Sequence, residues 1–71
     1  MRPGATITVP EADYAFGAGP LRMRVEEVVG QATHGGERWA ELRGHDVRQD
    51  GSVDPRERYA SVRVDRVTVI A

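Results

Sequence analysis

Seventy-one residues with eleven acidic side chains, ten basic ones, a net charge of −1 and no cysteine narrow the possibilities before any pattern is considered. A chain of that length forms one domain, here 1–71, and buries only about 60% of its unfolded surface; without Cys it has no disulfide framework and no thiolate metal site, so it rests on apolar packing or on assembly with other chains. The near-neutral charge also withholds the basic field that non-specific nucleic-acid binding draws on.

All ten basic residues are Arg and none is Lys, with Ala, Gly and Val abundant, the composition of a high-GC genome of the actinobacterial kind. The start Met1-Arg2-Pro3-Gly4-Ala5 has no apolar stretch behind its positive charge, and no segment reaches bilayer-spanning length. The expectation is a cytoplasmic protein with no membrane contact.

In chain order, Thr6-Ile7-Thr8-Val9 reads as a short strand stopped by Pro10, which has no N–H for the ladder. Glu11 to Pro20 is a glycine-containing loop with two aromatics, Tyr14 and Phe16, which either cap one end of the core or wall a groove. Leu21 to Val29 is the next strand: Leu21, Met23 and Val25 alternate with Arg22, Arg24 and Glu26, the mark of a half-buried strand. Val28 then falls out of phase, and a β-bulge near Glu26-Glu27 would return it to the core. After the glycine turn Thr33 to Glu37, a strand from Arg38 to about Gly44 puts Ala40, Leu42 and Gly44 inward and Trp39, Glu41 and Arg43 outward. His45 to Pro55 is a polar connection around Asp50-Gly51, with Val47 and Val53 placed symmetrically as in a short hairpin. In the strand Arg58 to Val64, Ala60, Val62 and Val64 alternate with Tyr59, Ser61 and Arg63; a one-turn corner at Asp65-Arg66 precedes Val67 and Val69. The fold class is all-β, a small barrel of five or six short antiparallel strands, since closure removes edges that would otherwise aggregate.

The loop Asp13-Tyr14-Ala15-Phe16, the strand from Leu21, the glycine turn, the strand opening at Trp39, the further hairpin and the terminal Val62-Arg63-Val64-Asp65-Arg66-Val67 corner resemble in layout an SH3-like barrel. The chain is similar, too, to short uncharacterised actinobacterial proteins, from which no function carries over. In eukaryotic SH3 domains an aromatic loop and a tryptophan at the start of the third strand line a groove for proline-rich peptides, and Tyr14 and Trp39 match those places. The chain departs from that pattern in lacking a second adjacent Trp, an acidic loop beyond Glu37 and a Pro-x-x-Tyr element.

Chemistry-bearing motifs are few. Counted from Asp46, the segment to Glu57 supplies positions 1, 5, 6, 9 and 12 of a calcium loop, but Arg48 at position 3 puts a guanidinium where a carboxylate should ligate and the flanks read as strands, so a solvated turn is expected. His34 and His45 read as exposed turn histidines with no metal partner, and Ser52 and Ser61 have no companion set for nucleophilic catalysis. Gly17-Ala18-Gly19-Pro20 opens a strand, not a phosphate-cradling helix. No catalytic residue, metal or cofactor is expected.

What remains is the polar face: Arg22, Arg24, Trp39, Glu41, Arg43, Tyr59, Ser61 and Arg63, with Tyr14 and Phe16 from the loop. One expectation is that Trp39 and Tyr59 simply pair across strands under arginine stems. The other is a binding surface, since Trp, Tyr and Arg dominate interface hot spots. The functional expectation is a non-enzymatic interaction module or small accessory subunit that binds a protein partner or its own copies through the Trp39 face. The alternative is a nucleic-acid-binding barrel in which Trp39 and Tyr59 stack bases and the arginines hold phosphates. An accessory role beside an enzyme is compatible with either.

Overall fold

The computed structural model describes residues 2–15 and 19–71. Five strands, β1 (Thr6–Val9), β2 (Leu21–His34), β3 (Glu37–Val47), β4 (Val53–Arg63) and β5 (Thr68–Val69), form one antiparallel sheet in the order β4-β3-β2-β1-β5. Single 3-10 turns at Glu11–Asp13 and Val64–Arg66 are the helical content among the described residues. None of these elements is a helix long and apolar enough to cross a membrane. The sheet curls but stays open: among the described residues no ladder joins β4 to β5, and an isolated bridge from Tyr14 to Val62 ties the β1–β2 loop to β4 instead.

Period-2 patterning accounts for the core. Ile7 and Val9, Leu21, Met23 and Val25, Ala40 and Leu42, Ala60 and Val62 all point to the concave side and are buried, together with Tyr14. Ile7, Val9, Met23, Val25, Leu42 and Val62 are fully enclosed, each worth roughly 1.5–3 kcal/mol relative to exposure. Gly44 completes the packing by its lack of a side chain, because a Cβ there would overlap the Arg24 carbonyl oxygen and stand 2.9 Å from Met23 Cε. At the edge of the core, Val28, Gln31, Ala40, Val64, Val67 and Val69 line an open cleft.

Two bulges govern β2. Against β3, the pairing slips between Val25 and Glu27 and again between Val28 and Gly30, leaving Glu26 and Val29 as extra residues. The first slip is the expected one and returns Val28 to partial contact with the core. The second was not foreseen and carries β2 five residues past Val29, to a two-residue turn at Gly35-Gly36. Both glycines have positive φ, 56° and 80°, as a hairpin turn with matching twist demands. β4 likewise starts five residues before Arg58, at Val53, and Val47 pairs with Val53 as their symmetric placement implied.

Candidate interaction surface

On the convex face the registry fixes which expected residues meet. Trp39 lies opposite Arg63 on β4 and Ala32 on β2, and the Arg63 guanidinium carbon sits 5.3 Å from the ring centroid, within cation–π range. Arg63 is held from two further sides, its Nη1 3.6 Å from Asp13 and its Nε 3.6 Å from Glu37. At that distance Glu37 does not hydrogen-bond, and Nε stays buried without a hydrogen-bond partner, so stacking and charge fix the guanidinium. Asp13 arrives from the 3-10 turn of the β1–β2 loop, which Ala15 anchors by donating to the Ser61 carbonyl at 3.0 Å.

Small neighbours leave the rest of the indole accessible. Glu41 faces Gly30 and Ser61, and Gly30, Ala32, Ser61 and Trp39 line a shallow depression whose rim carries His34 and Glu41. A Trp beside Gly, Ala and Ser creates a notch because the large ring stands above side chains that cannot fill the space next to it. The half-buried Trp39 is thus rigid on its Arg63 side and open on its β2 side.

The expected Trp39–Tyr59 pair does not form. Tyr59 lies opposite Arg43, four residues along β4 from Arg63, the partner of Trp39, and is 59% exposed. Arg43 instead spans three strands, its Nε 3.2 Å from Glu27 and its Nη1 2.6 Å from Glu57; these bonds, the Glu57 one foremost, raise its pKa above the ordinary guanidinium value. Tyr14 is not on this surface: it is 7% exposed in the core, and its hydroxyl donates to the Gly19 carbonyl at 2.6 Å. Phe16 lies outside the described residues. Arg22 and Arg24 share the convex face but sit at its other end, opposite Thr8 and Thr6. Arg24 pairs with His45, six residues along β3 from Trp39, about 20 Å away.

The Asp46–Glu57 segment is a hairpin connection. Asp46 accepts from Arg58 at 3.0 and 3.2 Å, Asp54 lies beside Arg48 and Arg56, and Asp50 accepts from the Ser52 amide at 2.9 Å and its hydroxyl at 2.6 Å. The Ser52 hydroxyl first, then its amide, lowers the Asp50 pKa below the usual carboxylate range; the Arg56 amide does most to lower that of Asp54. His45, expected in a turn, lies within β3. Its Nδ1 faces the carbonyls of Asp54 at 3.0 Å and Arg56 at 3.1 Å, where β4 carries extra residues around Pro55 opposite the His45–Val47 step. Both neighbours only accept, an arrangement that favours the tautomer with its proton on Nδ1.

Gly30, Ala32, Asp13 and Glu37 belong to the Trp39 site but were missing from the expected set. Gly30 and Ala32 reach the convex face only after the second bulge, and Asp13 reaches it through the folded-back loop, so no local pattern marks them. The chain matches no known family model, and no curated protein or solved structure matches it significantly.

Proposed function

We propose that this chain is a non-enzymatic interaction module, an SH3-like small barrel in design, that binds a protein partner or a second copy of itself through the Trp39 face. The observation that carries this reading is the notch: an indole stacked under Arg63 on one side and left open beside Gly30, Ala32 and Ser61 on the other. A pre-positioned aromatic next to an empty concavity accepts a partner side chain at little entropic cost, the condition under which Trp and Arg become hot spots. The strand order and the β1–β2 loop laid against β4 support the barrel-like design.

Replacing Trp39 by Ala is expected to lower stability by about 1–2 kcal/mol, the worth of a half-exposed stacked pair and well short of a core tryptophan. Binding should fall further, by at least the roughly 2 kcal/mol, about thirtyfold, that marks a hot spot. Sedimentation equilibrium of wild type and W39A reads self-association, and capture from a source-organism lysate with and without nuclease reads other partners. A folded W39A that associates and captures as wild type does would sink the proposal.

A second reading, nucleic-acid binding, is favoured by Tyr59, whose ring is exposed on the same face and offers a stacking platform. Nuclease-sensitive capture would select it over the protein reading.

A further inference from the structure

Six of the ten arginines are engaged by acidic side chains; of the others, Arg2 and Arg66 stand apart from the strand ladders, while Arg22 and Arg24 share one strand face. Arg38, Arg43, Arg48, Arg56, Arg58 and Arg63 each lie within 4 Å of a carboxylate. Arg22 and Arg24 are exposed on one strand face and make no ion pair among the described residues. Their cross-strand neighbours are threonines and His45. Thr68, Thr8 and Arg22 stand in line across β5, β1 and β2, and Thr6, Arg24 and His45 stand in line across β1, β2 and β3. Two residues apart on one strand, the arginines are about 7 Å apart, and each row is about 10 Å wide. The neighbouring carboxylates are turned to other groups: Asp46 is bound by Arg58, and Glu26 lies 3.9 Å from His45 Nε2.

Two fork-shaped donors that no carboxylate neutralises, flanked by threonine hydroxyls on one face of the sheet, match an oxyanion with several acceptor oxygens. An ammonium offers its three donors from a single point; each planar guanidinium can engage two oxygens of one oxyanion at once. We propose that the Arg22–Arg24 end of the convex face binds phosphate-class oxyanions. This site stands about 20 Å from the Trp39 notch and does not depend on the reading given to it. Its chemistry is common to free phosphate esters and to a nucleic-acid backbone, and the test separates the two.

Inorganic pyrophosphate titrated into the 15N-labelled protein at low ionic strength should give saturable amide shifts centred on Thr6, Thr8, Arg22, Arg24 and Thr68. The variant R22Q/R24Q should bind at least tenfold more weakly. The charge-matched variant R38Q/R66Q, altered at the other end of the hairpin and in the 3-10 corner, should bind as wild type does. R22K/R24K keeps the charge and loses the fork, so it should bind several-fold more weakly while folding normally. An oligothymidylate run in parallel identifies the source: binding more than tenfold tighter than pyrophosphate, with shifts extending to Trp39 and Tyr59, marks a nucleic-acid backbone, and equal or weaker binding marks a small phosphate ester. Absence of saturable shifts, shifts scattered over the surface, or equal weakening by R38Q/R66Q would overturn the site.

Discussion

At the scale of single residues, Gly44 and His45 show how neighbouring positions on one strand do unrelated work. Gly44 has ordinary φ, where Gly→Ala usually stabilises by roughly 0.4–1 kcal/mol through the unfolded chain. Here the added methyl would meet the Arg24 backbone carbonyl and Met23 Cε, and a strand cannot retreat as a side-chain tip can. Gly44→Ala is therefore expected to destabilise by about 1–3 kcal/mol, read as a lower urea midpoint; an unchanged or higher midpoint would refute the close approach. His45 is expected to be the Nδ1–H tautomer when neutral, because Asp54 and Arg56 present only carbonyl oxygens to that nitrogen. Its two ring 15N shifts decide the matter, and an Nε2–H tautomer would contradict the geometry. The sequence made Trp39, Glu41 and Arg63 legible as one outward set because strict alternation assigns faces without knowledge of partners. It did not reveal that Arg63, not Tyr59, faces Trp39, since opposition depends on the turn positions at both ends of β3.

At the scale of elements, alternation located every strand but not its full length. Strands were visible where one face is buried. On the outer part of β2, Gln31 to His34 are all exposed, so the period-2 signal vanishes there although the ladder continues. Bulges were legible only where an apolar residue changed phase: Val28 marked the first, whereas Val29 and Gly30 left the second unmarked. The β3–β4 connection yields a pH expectation. The folded-state pKa of Asp50 lies below its unfolded value, so its small contribution to stability is present above the ordinary carboxylate range and is lost as pH falls through the folded value. Ser52→Ala removes the hydroxyl donor and leaves the amide, and should move the Asp50 pKa part of the way back toward the ordinary value in a carboxyl 13C titration. No movement would show that the hydroxyl does not bond the carboxylate in solution.

At the scale of the whole molecule, a radius of gyration of 11.2 Å equals the roughly 11 Å expected of a compact chain this long, although the axes measure 36 × 22 × 20 Å. The elongation fits the β2–β3 hairpin reaching past the core, and that reach sets the Trp39 notch well apart from the paired ends of the sheet. The strand order has a further consequence, in time. The hairpin closes across the two glycines Gly35-Gly36, whereas β1 meets β5 only after a loop of about 60 residues has closed, so the first contact is entropically cheap and the second is late. Gly36→Ala strains a positive-φ turn by about 1–3 kcal/mol and should slow folding with little change in the unfolding rate. Ile7→Val, a loss of roughly 0.5–1.5 kcal/mol in the strand that joins β2 to β5, should quicken unfolding and leave folding nearly untouched. Stopped-flow chevrons of the two variants would expose an inverted order, and in the order expected here the molecule comes apart from the β5 end first, with the hairpin bearing Trp39 the last piece to lose its shape.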